Sequence, residues 1–276
     1  MAKTNNTFRS YDDAPDHVKS HYLDMRKNQT YDYVGKMLNK FETREPRKMK
    51  VEDAIRLLDQ FNDASDPDTA LPNVQHLFQT AERARNKKEE RWMVLVSLIH
   101  DLGKMLYFWN DSSLGCSIEK QWGVTGDTFM VGCQLQDSLI YPEYNLENPD
   151  MKDPILGTIL GLYQKECGLD QMRCAWGHDE YLYRVLSDPR NKDLHKLPEE
   201  GLRIIRYHSF YPWHNAGGYQ EFENKKDQET KVLVQRFNDY DLYSKSDDNQ
   251  LNVDQLLDEY YRDLILEFFP KSYLYF

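Results

Sequence analysis

The stretch Leu98-Ile-His-Asp-Leu-Gly-Lys104 constrains this chain more than any other, because it sets an imidazole, a carboxylate and an ammonium at the end of an apolar run. The residues before it, Arg91-Trp-Met-Val-Leu-Val-Ser97, are too uniformly apolar for a one-sided surface helix. The segment therefore reads as a helix buried on most sides, with Gly103 at its C-terminal stop. A buried Asp101 beside a buried His100 is costly without a partner. Helical spacing returns Lys104 to the same face, three residues after Asp101 and four after His100. Imidazole and carboxylate are also common ligands of borderline divalent metals, and an adjacent pair can grip one ion or join two. Any further ligands must come from elsewhere in the chain.

With 276 residues the chain can bury a substantial core, and its formal net charge of −11 argues against nucleic-acid phosphates or an anionic membrane as partners. No apolar run approaches transmembrane length, and Met-Ala-Lys-Thr-Asn-Asn at the start lacks the apolar stretch of a secretory signal. Cys116, Cys133, Cys167 and Cys174 are scattered without a C-x-x-C pair, which suits free thiols in a reducing cytosol. The expectation is a cytoplasmic monomer with neither nucleic acid nor membrane as partner.

Residues 1–14 are polar and extended, with Phe8-Arg-Ser-Tyr11 as a cluster that can dock near a site. Helical pattern runs over 16–41, with Asp16 as N-cap, and Val51, Ile55 and Leu58 share one face of a short helix. Asn62-Asp-Ala-Ser-Asp-Pro-Asp-Thr69 is an acidic, turn-rich loop of the kind that carries function. Asn73 caps a helix through Arg85 that has Val74, Leu77, Phe78, Ala81 and Ala84 on its apolar side and His76 near its start. This helix and the one ending at the His-Asp pair form an αα-hairpin. From Leu106 to Pro154 the pattern is loop-rich, with short β-pairs around 122–124 and 129–131. Helical pattern returns over 155–164, 178–186, 198–209, 227–243 and 253–268. The fold class predicted is all-α, a single mainly helical domain over 1–276.

Of the eight histidines, His17, His21 and His195 lie in polar or charged surroundings and read as surface residues. His76, His100, His178, His208 and His214 have apolar or aromatic neighbours. Each alone reads more readily as a hydrogen-bonded core histidine than as a ligand. Together with Asp101 they are expensive to desolvate, and a metal centre would offset that cost. Asp241 falls between Phe237 and Tyr240 on one side and Leu242 and Tyr243 on the other, so it is the inward candidate rather than Asp239.

The ordered motifs His76-Leu-Phe-Gln-Thr-Ala-Glu82, His100-Asp-Leu-Gly-Lys104, Gly126-Asp-Thr-Phe129, Trp176-Gly-His-Asp-Glu-Tyr181, Arg206-Tyr-His-Ser-Phe-Tyr-Pro-Trp-His214 and Asp241-Leu-Tyr-Ser-Lys245 resemble the metal-dependent HD-domain superfamily, and more narrowly the myo-inositol oxygenase family. The resemblance runs from Phe8 to near the C-terminus. It implies an HD-domain-like helical core and a non-haem di-iron oxygenase that uses O2 as co-substrate to cleave the ring of myo-inositol, giving D-glucuronate. It also implies that a mixed-valent Fe(II)/Fe(III) pair is held by His76, His100, Asp101, His178, His208 and Asp241. One iron takes His76, His100 and Asp241, the other His178 and His208, and Asp101 bridges them. Asp179 and His214 are then not ligands. Carried over in the same way, the substrate contacts are Arg9, Asp63, Ala64, Ser65, Lys104, Gly126, Asp127, His208, Ser209 and Lys245, with Lys104 and Asp101 as catalytic residues. A cyclic polyol suits such a set, since Asp63 and Asp127 accept hydroxyl protons while Arg9 and Ser209 donate. Lys104 would help hold a deprotonated hydroxyl.

The chain departs from the family at Ala64, where an acidic residue is expected, in longer connections over 105–125 and 188–198, and at Phe276 in place of a C-terminal Trp. A phosphohydrolase of the HD type is the rival enzyme class, although its anionic substrate calls for a cluster of Arg and Lys. The third class is a metal-stabilised binding protein without turnover.

Overall fold

The structure, a computed structural model, describes residues 11–67, 71–244 and 250–276. It is mainly helical. In chain order come α1 (Asp16–Asn28), α2 (Tyr31–Thr43), β1 (Lys48–Lys50), α3 (Val51–Leu57), α4 (Asn73–Asn86) and α5 (Arg91–Ile99), then a 3-10 segment (Leu102–Trp109). The strands β2 (Met130–Val131) and β3 (Arg173–Cys174) precede α6 (His178–Ser187), α7 (Glu199–Tyr207), α8 (Tyr211–His214) and α9 (Lys225–Ser244). The chain ends with α10 (Val253–Leu256), a π-helical segment (Leu257–Tyr261), α11 (Arg262–Phe268) and β4 (Tyr273–Tyr275). β4 pairs antiparallel with β1, Lys48 opposite Tyr275, and so ties the C-terminus to the α2–α3 connection. Among the described residues no helix is long and apolar enough to cross a membrane.

α4 and α5 form the expected hairpin, α9 crosses α4 and α7, and α6 packs on α7 and on the 3-10 segment. The period of 3.6 residues explains where the polar groups go. In α7, Gly201, Ile204, Ile205 and His208 fall at i, i+3, i+4 and i+7, and all are buried. In α9, Val234, Phe237 and Asp241 repeat the i, i+3, i+7 pattern on the buried side, while Asp239 is exposed. Each of these helices carries a ligand-type residue on its core-facing stripe.

Several local expectations give way to tertiary contacts. The helix expected over 16–41 is two helices, and Pro15 rather than Asp16 precedes the first. The Thr30 hydroxyl caps α2 by accepting from Tyr33 N at 3.1 Å. Buried Gln29 commits its amide to other backbone, donating to Trp122 O at 3.1 Å and Trp176 O at 2.6 Å and accepting from Trp176 N at 2.9 Å. The pattern over 155–164 is turns rather than a helix, because Asp153 Oδ1 accepts from Ile155 N and Leu156 N. Gln134 and Gly132 then hold the backbone of Thr158 and Leu162. The β-pair forms between 130–131 and 173–174, not with 122–124, which lies in turns.

Gly103 is not a helix stop either. α5 ends at Ile99, and the chain tightens through Asp101 into 3-10 geometry. A Cβ at Gly103 would lie 1.8 Å from the carbonyl oxygen of His178, so the glycine is the place where the α6 start meets the 3-10 segment.

A buried ion-pair network braces α6, α7 and α9 behind that junction. Arg206 donates to Glu180 at 2.8 Å, and Arg203 pairs with Asp227 at 2.8 Å and with Asp170 at 2.6 Å. Glu180 follows His178 by two residues and Arg206 precedes His208 by two, so the network sets the spacing of those imidazoles. Removing one partner of a buried pair strands the other. Arg206→Ala is expected to cost about 3–5 kcal/mol, read as a lower urea midpoint for the metal-free protein with an unchanged slope.

Candidate metal centre

Asp101 follows the last turn of α5 with φ −93° and ψ 2°, in the bridge region between helix and strand conformations. The Lys104 N–H bonds Asp101 O at 2.9 Å, and this i, i+3 spacing lays the two side chains over each other. Lys104 Nζ then lies 2.7 Å from Asp101 Oδ2 and 2.8 Å from Asp63 Oδ2.

His76 from α4, His100 at the end of α5, His178 opening α6, His208 ending α7 and Asp241 from α9 converge on Asp101, and all are buried. Asp101 faces them with both oxygens. Oδ1 is 3.2 Å from His178 Nε2 and 3.5 Å from His208 Nε2, whereas Oδ2 is 3.5 Å from His100 Nε2 and 3.8 Å from His76 Nε2. Asp241 Oδ1 lies 2.8 Å from His76 Nε2 and 3.4 Å from His100 Nε2.

The backbone decides the tautomers. Nδ1 of His100, His178 and His208 lies 2.9, 2.8 and 2.8 Å from the carbonyl oxygens of Ser97, Val124 and Ile205. A carbonyl only accepts, so each Nδ1 carries the proton and each neutral ring turns an Nε2 lone pair inward. His178 Nε2 and His208 Nε2 are 3.1 Å apart. Lone pairs and carboxylate oxygens at such separations require shared positive charge, which a bound metal supplies. His76, His100 and Asp241 form one group able to hold an ion, and His100, Asp101 and His208 form a second that overlaps it. The donor set therefore fits a metal centre with the Asp101 carboxylate between its halves.

Charge states follow from these contacts. Burial pushes Asp101 and Asp241 up, but Lys104 with the imidazoles outweighs it at Asp101, and His100 and His76 outweigh it at Asp241, holding both well below the usual carboxylate range. Burial lowers His178, yet its contact with Asp101 leaves it raised overall, whereas burial prevails at His208 and lowers it. Burial likewise opposes the charged forms of Asp63 and Lys104, but Lys104 overrides it at Asp63, depressing that carboxyl, and Asp101 with Asp63 overrides it at Lys104, raising the ammonium.

The centre opens on a cavity of about 490 Å³, its mouth included, which Asp63, Ser65, Lys104, Gly126, Asp127 and Ser209 help to line. Gly126 has φ +101°, and a Cβ there would lie 2.8 Å from Met25 Sδ, so only glycine suits this wall. Ala64 is not brought to the cavity: its N–H donates to Gln121 Oε1 at 3.0 Å, while Ser65 turns back to Asp63 Oδ1 through N (2.8 Å) and Oγ (2.6 Å). Arg9 and Lys245 lie outside the described residues, as does most of the 1–14 segment, though Tyr11 lines the cavity mouth.

His214 is buried but turned away, with Nε2 3.0 Å from His208 O, and Asp179 accepts from the Thr128 hydroxyl and from Glu180 N. His21, expected at the surface, is buried with Nε2 3.1 Å from Thr125 O, because α1 packs over the 125–127 segment. His17 is exposed, and half-buried His195 lies 2.9 Å from Leu186 O. Sequence reasoning missed three groups. Tyr22 donates to Asp127 Oδ1 at 3.2 Å, Tyr211 donates to Asp241 Oδ2 at 3.2 Å, and Asn73, the first residue of α4 rather than its cap, bonds both Asp101 and Lys104. Asn73 was legible in one respect, since it precedes His76 by three and so shares its face.

The sequence profile described as myo-inositol oxygenase matches residues 15–276. The chain belongs to the myo-inositol oxygenase family. It is 42% identical to the inositol oxygenase of Homo sapiens and 41% identical to that of Rattus norvegicus, in each case over 98% of this chain and 91% of the relative. It is 40% identical to a probable inositol oxygenase of Oryza sativa subsp. japonica, over 97% of this chain and 84% of the relative. As a member of the myo-inositol oxygenase family the chain is an oxygenase, using O2 and a metal cofactor.

The depressed carboxylate of Asp63 gives a pH test. Its folded pKa lies below the ordinary aspartate value of 3.8, so its contribution to stability is complete above that value and is lost as pH falls through the lower, folded one. In metal-free protein, Asp63→Asn is expected to make the loss of melting temperature between about pH 5 and pH 2.5 shallower than in wild type.

Proposed function

We propose that this chain cleaves the ring of myo-inositol with O2 at a di-iron centre, releasing D-glucuronate. In the overall reaction the substrate gives four electrons to O2, one oxygen atom enters the product and the other leaves as water. The observation that carries the reading is the division of the Asp101 carboxylate, one oxygen toward His178 and His208, the other toward His76 and His100. One iron would be held by His76, His100 and Asp241, the other by His178 and His208, with Asp101 shared. A mixed-valent Fe(II)/Fe(III) pair supplies chelation of the substrate and activation of O2 when bound.

The protein's own groups orient the polyol. Asp63 and Asp127 accept ring hydroxyl protons, and Ser209, whose Oγ is 3.2 Å from His178 Nε2, faces the substrate beside the metal ligands. Lys104 keeps its proton throughout the working range, since its pKa is raised, and its ammonium stabilises a hydroxyl oxygen that has lost its own. Tyr11, Tyr22 and Tyr211 wall the cavity and limit water. Arg9 and Lys245 complete the substrate contacts by family resemblance. The scattered thiols and acidic charge support a cytoplasmic enzyme, and we take it as a monomer.

Anaerobic reconstitution with iron, followed by O2 uptake and a glucuronate assay with myo-inositol, tests the reading. Iron-loaded protein that consumes no O2 with inositol overturns it, as does purified protein holding zinc or manganese and hydrolysing phosphomonoesters. Lys104→Ala is expected to retain iron and to lose about 10²–10³-fold in kcat. Loss of iron from that variant means Lys104 serves the metal site rather than the substrate.

A further inference from the structure

Lys104 is surrounded by oxygen atoms on all three of its N–H directions. Asp101 Oδ2 lies at 2.7 Å, Asp63 Oδ2 at 2.8 Å and Asn73 Oδ1 at 2.8 Å. An ammonium has three protons and no acceptor capacity, so this tripod uses it fully. Asn73 is the neutral member. Its other amide atom, Nδ2, donates to Asp101 Oδ2 at 3.1 Å. The amide cannot be turned over, because Lys104 only donates and the carboxylate only accepts. Asn73 is itself buried, and its backbone N–H donates to Phe61 O at 2.8 Å, which anchors the start of α4 beneath the acidic loop that carries Asp63. One side chain thus clamps the bridging carboxylate and the cation beside it.

We propose that Asn73 is a positioning residue for the oxygenase reaction: its Nδ2 holds Asp101 so that the carboxylate keeps its division between the two imidazole pairs, and its Oδ1 holds the Lys104 ammonium in place until a substrate oxygen takes over that bond. The two carboxylate bonds to Lys104 are charge-assisted and the Asn73 bond is not. A substrate hydroxyl therefore displaces Asn73 Oδ1 at the lowest cost, while Nδ2 keeps Asp101 in place. The amide both fixes the carboxylate and leaves the ammonium one exchangeable partner.

The inference rests on the proposed reaction, and the test separates the two. Asn73→Ala removes both contacts, and Asn73→Asp keeps an acceptor for Lys104 but loses the donor to Asp101. Three readouts are taken on each: iron per chain, kcat and KM for myo-inositol, and the 15N–1H signal of the Lys104 ammonium in metal-free protein. Both variants are expected to bind iron as wild type does and to lose about 10–100-fold in kcat with a smaller change in KM. The ammonium signal is expected to broaden in Asn73→Ala and survive in Asn73→Asp. Wild-type kcat in either variant overturns the proposal, and so does loss of iron from both, which would make Asn73 a structural support. If Asn73→Ala fails to fold, kcat of Asn73→Asp decides. If wild-type protein loaded with iron shows no turnover, the reaction is wrong, and an unchanged ammonium signal in Asn73→Ala is what overturns the clamp.

Discussion

A carboxylate sealed from water, with imidazole nitrogens against both of its oxygens, cannot persist without positive charge, and the interior of this protein is arranged around that requirement. Asp101 is almost fully buried, and the Nε2 atoms of His100, His178 and His208 bear lone pairs because the backbone holds the protons on Nδ1. Lys104 supplies one cation from the adjacent 3-10 turn, with Asp63 as its counter-ion. A metal centre supplies the rest when bound. Isolated burial of these groups would be prohibitive, whereas together they compensate one another.

That centre depends on helices that are distant in sequence and must meet within tenths of an ångström. The means is close packing rather than flexible reach. Gly103 lets the carbonyl of His178 approach the 3-10 segment, and Gly201 brings α7 against Val96 of α5, where an added Cβ would lie 3.0 Å from Val96 Cγ2. Behind His178 and His208 the pairs of Arg206 with Glu180 and of Arg203 with Asp227 tie α6, α7 and α9 together. Such pairs add little net stability but penalise any shift in register, which suits a site whose imidazoles and carboxylates come from five different segments.

Much of this was legible in the residues. The His-Asp pair in an apolar run, and imidazoles at 3.6-residue spacing on apolar faces, point to a buried polar centre, and Asp241 could be chosen over Asp239 from its aromatic neighbours alone. Errors arose where local pattern competed with distant partners. Residues 155–164 have helical composition, yet Asp153 and the 132–134 backbone capture their polar groups first. The run over 16–41 looks continuous, but Gln29 is drawn to Trp122 and Trp176. His21 sits among polar neighbours in sequence and becomes buried only because α1 covers the 125–127 segment.

By its residue types alone, the His100-Asp101 pair can grip one metal or link two. Sequence alone determined that this segment must be buried, that Asp101 needs a cation, and that Lys104 returns to its face, since all three follow from composition and spacing within a few residues. The ordered motifs also identified the family. Only the tertiary structure decided that the two oxygens of Asp101 face different imidazole pairs, that Gly103 is a point of contact rather than a stop, and that Asn73 clamps the carboxylate to the ammonium. Those features depend on the relative placement of α4, α5, α6 and α7, which is set by packing between residues far apart in the chain and leaves no period or motif in it.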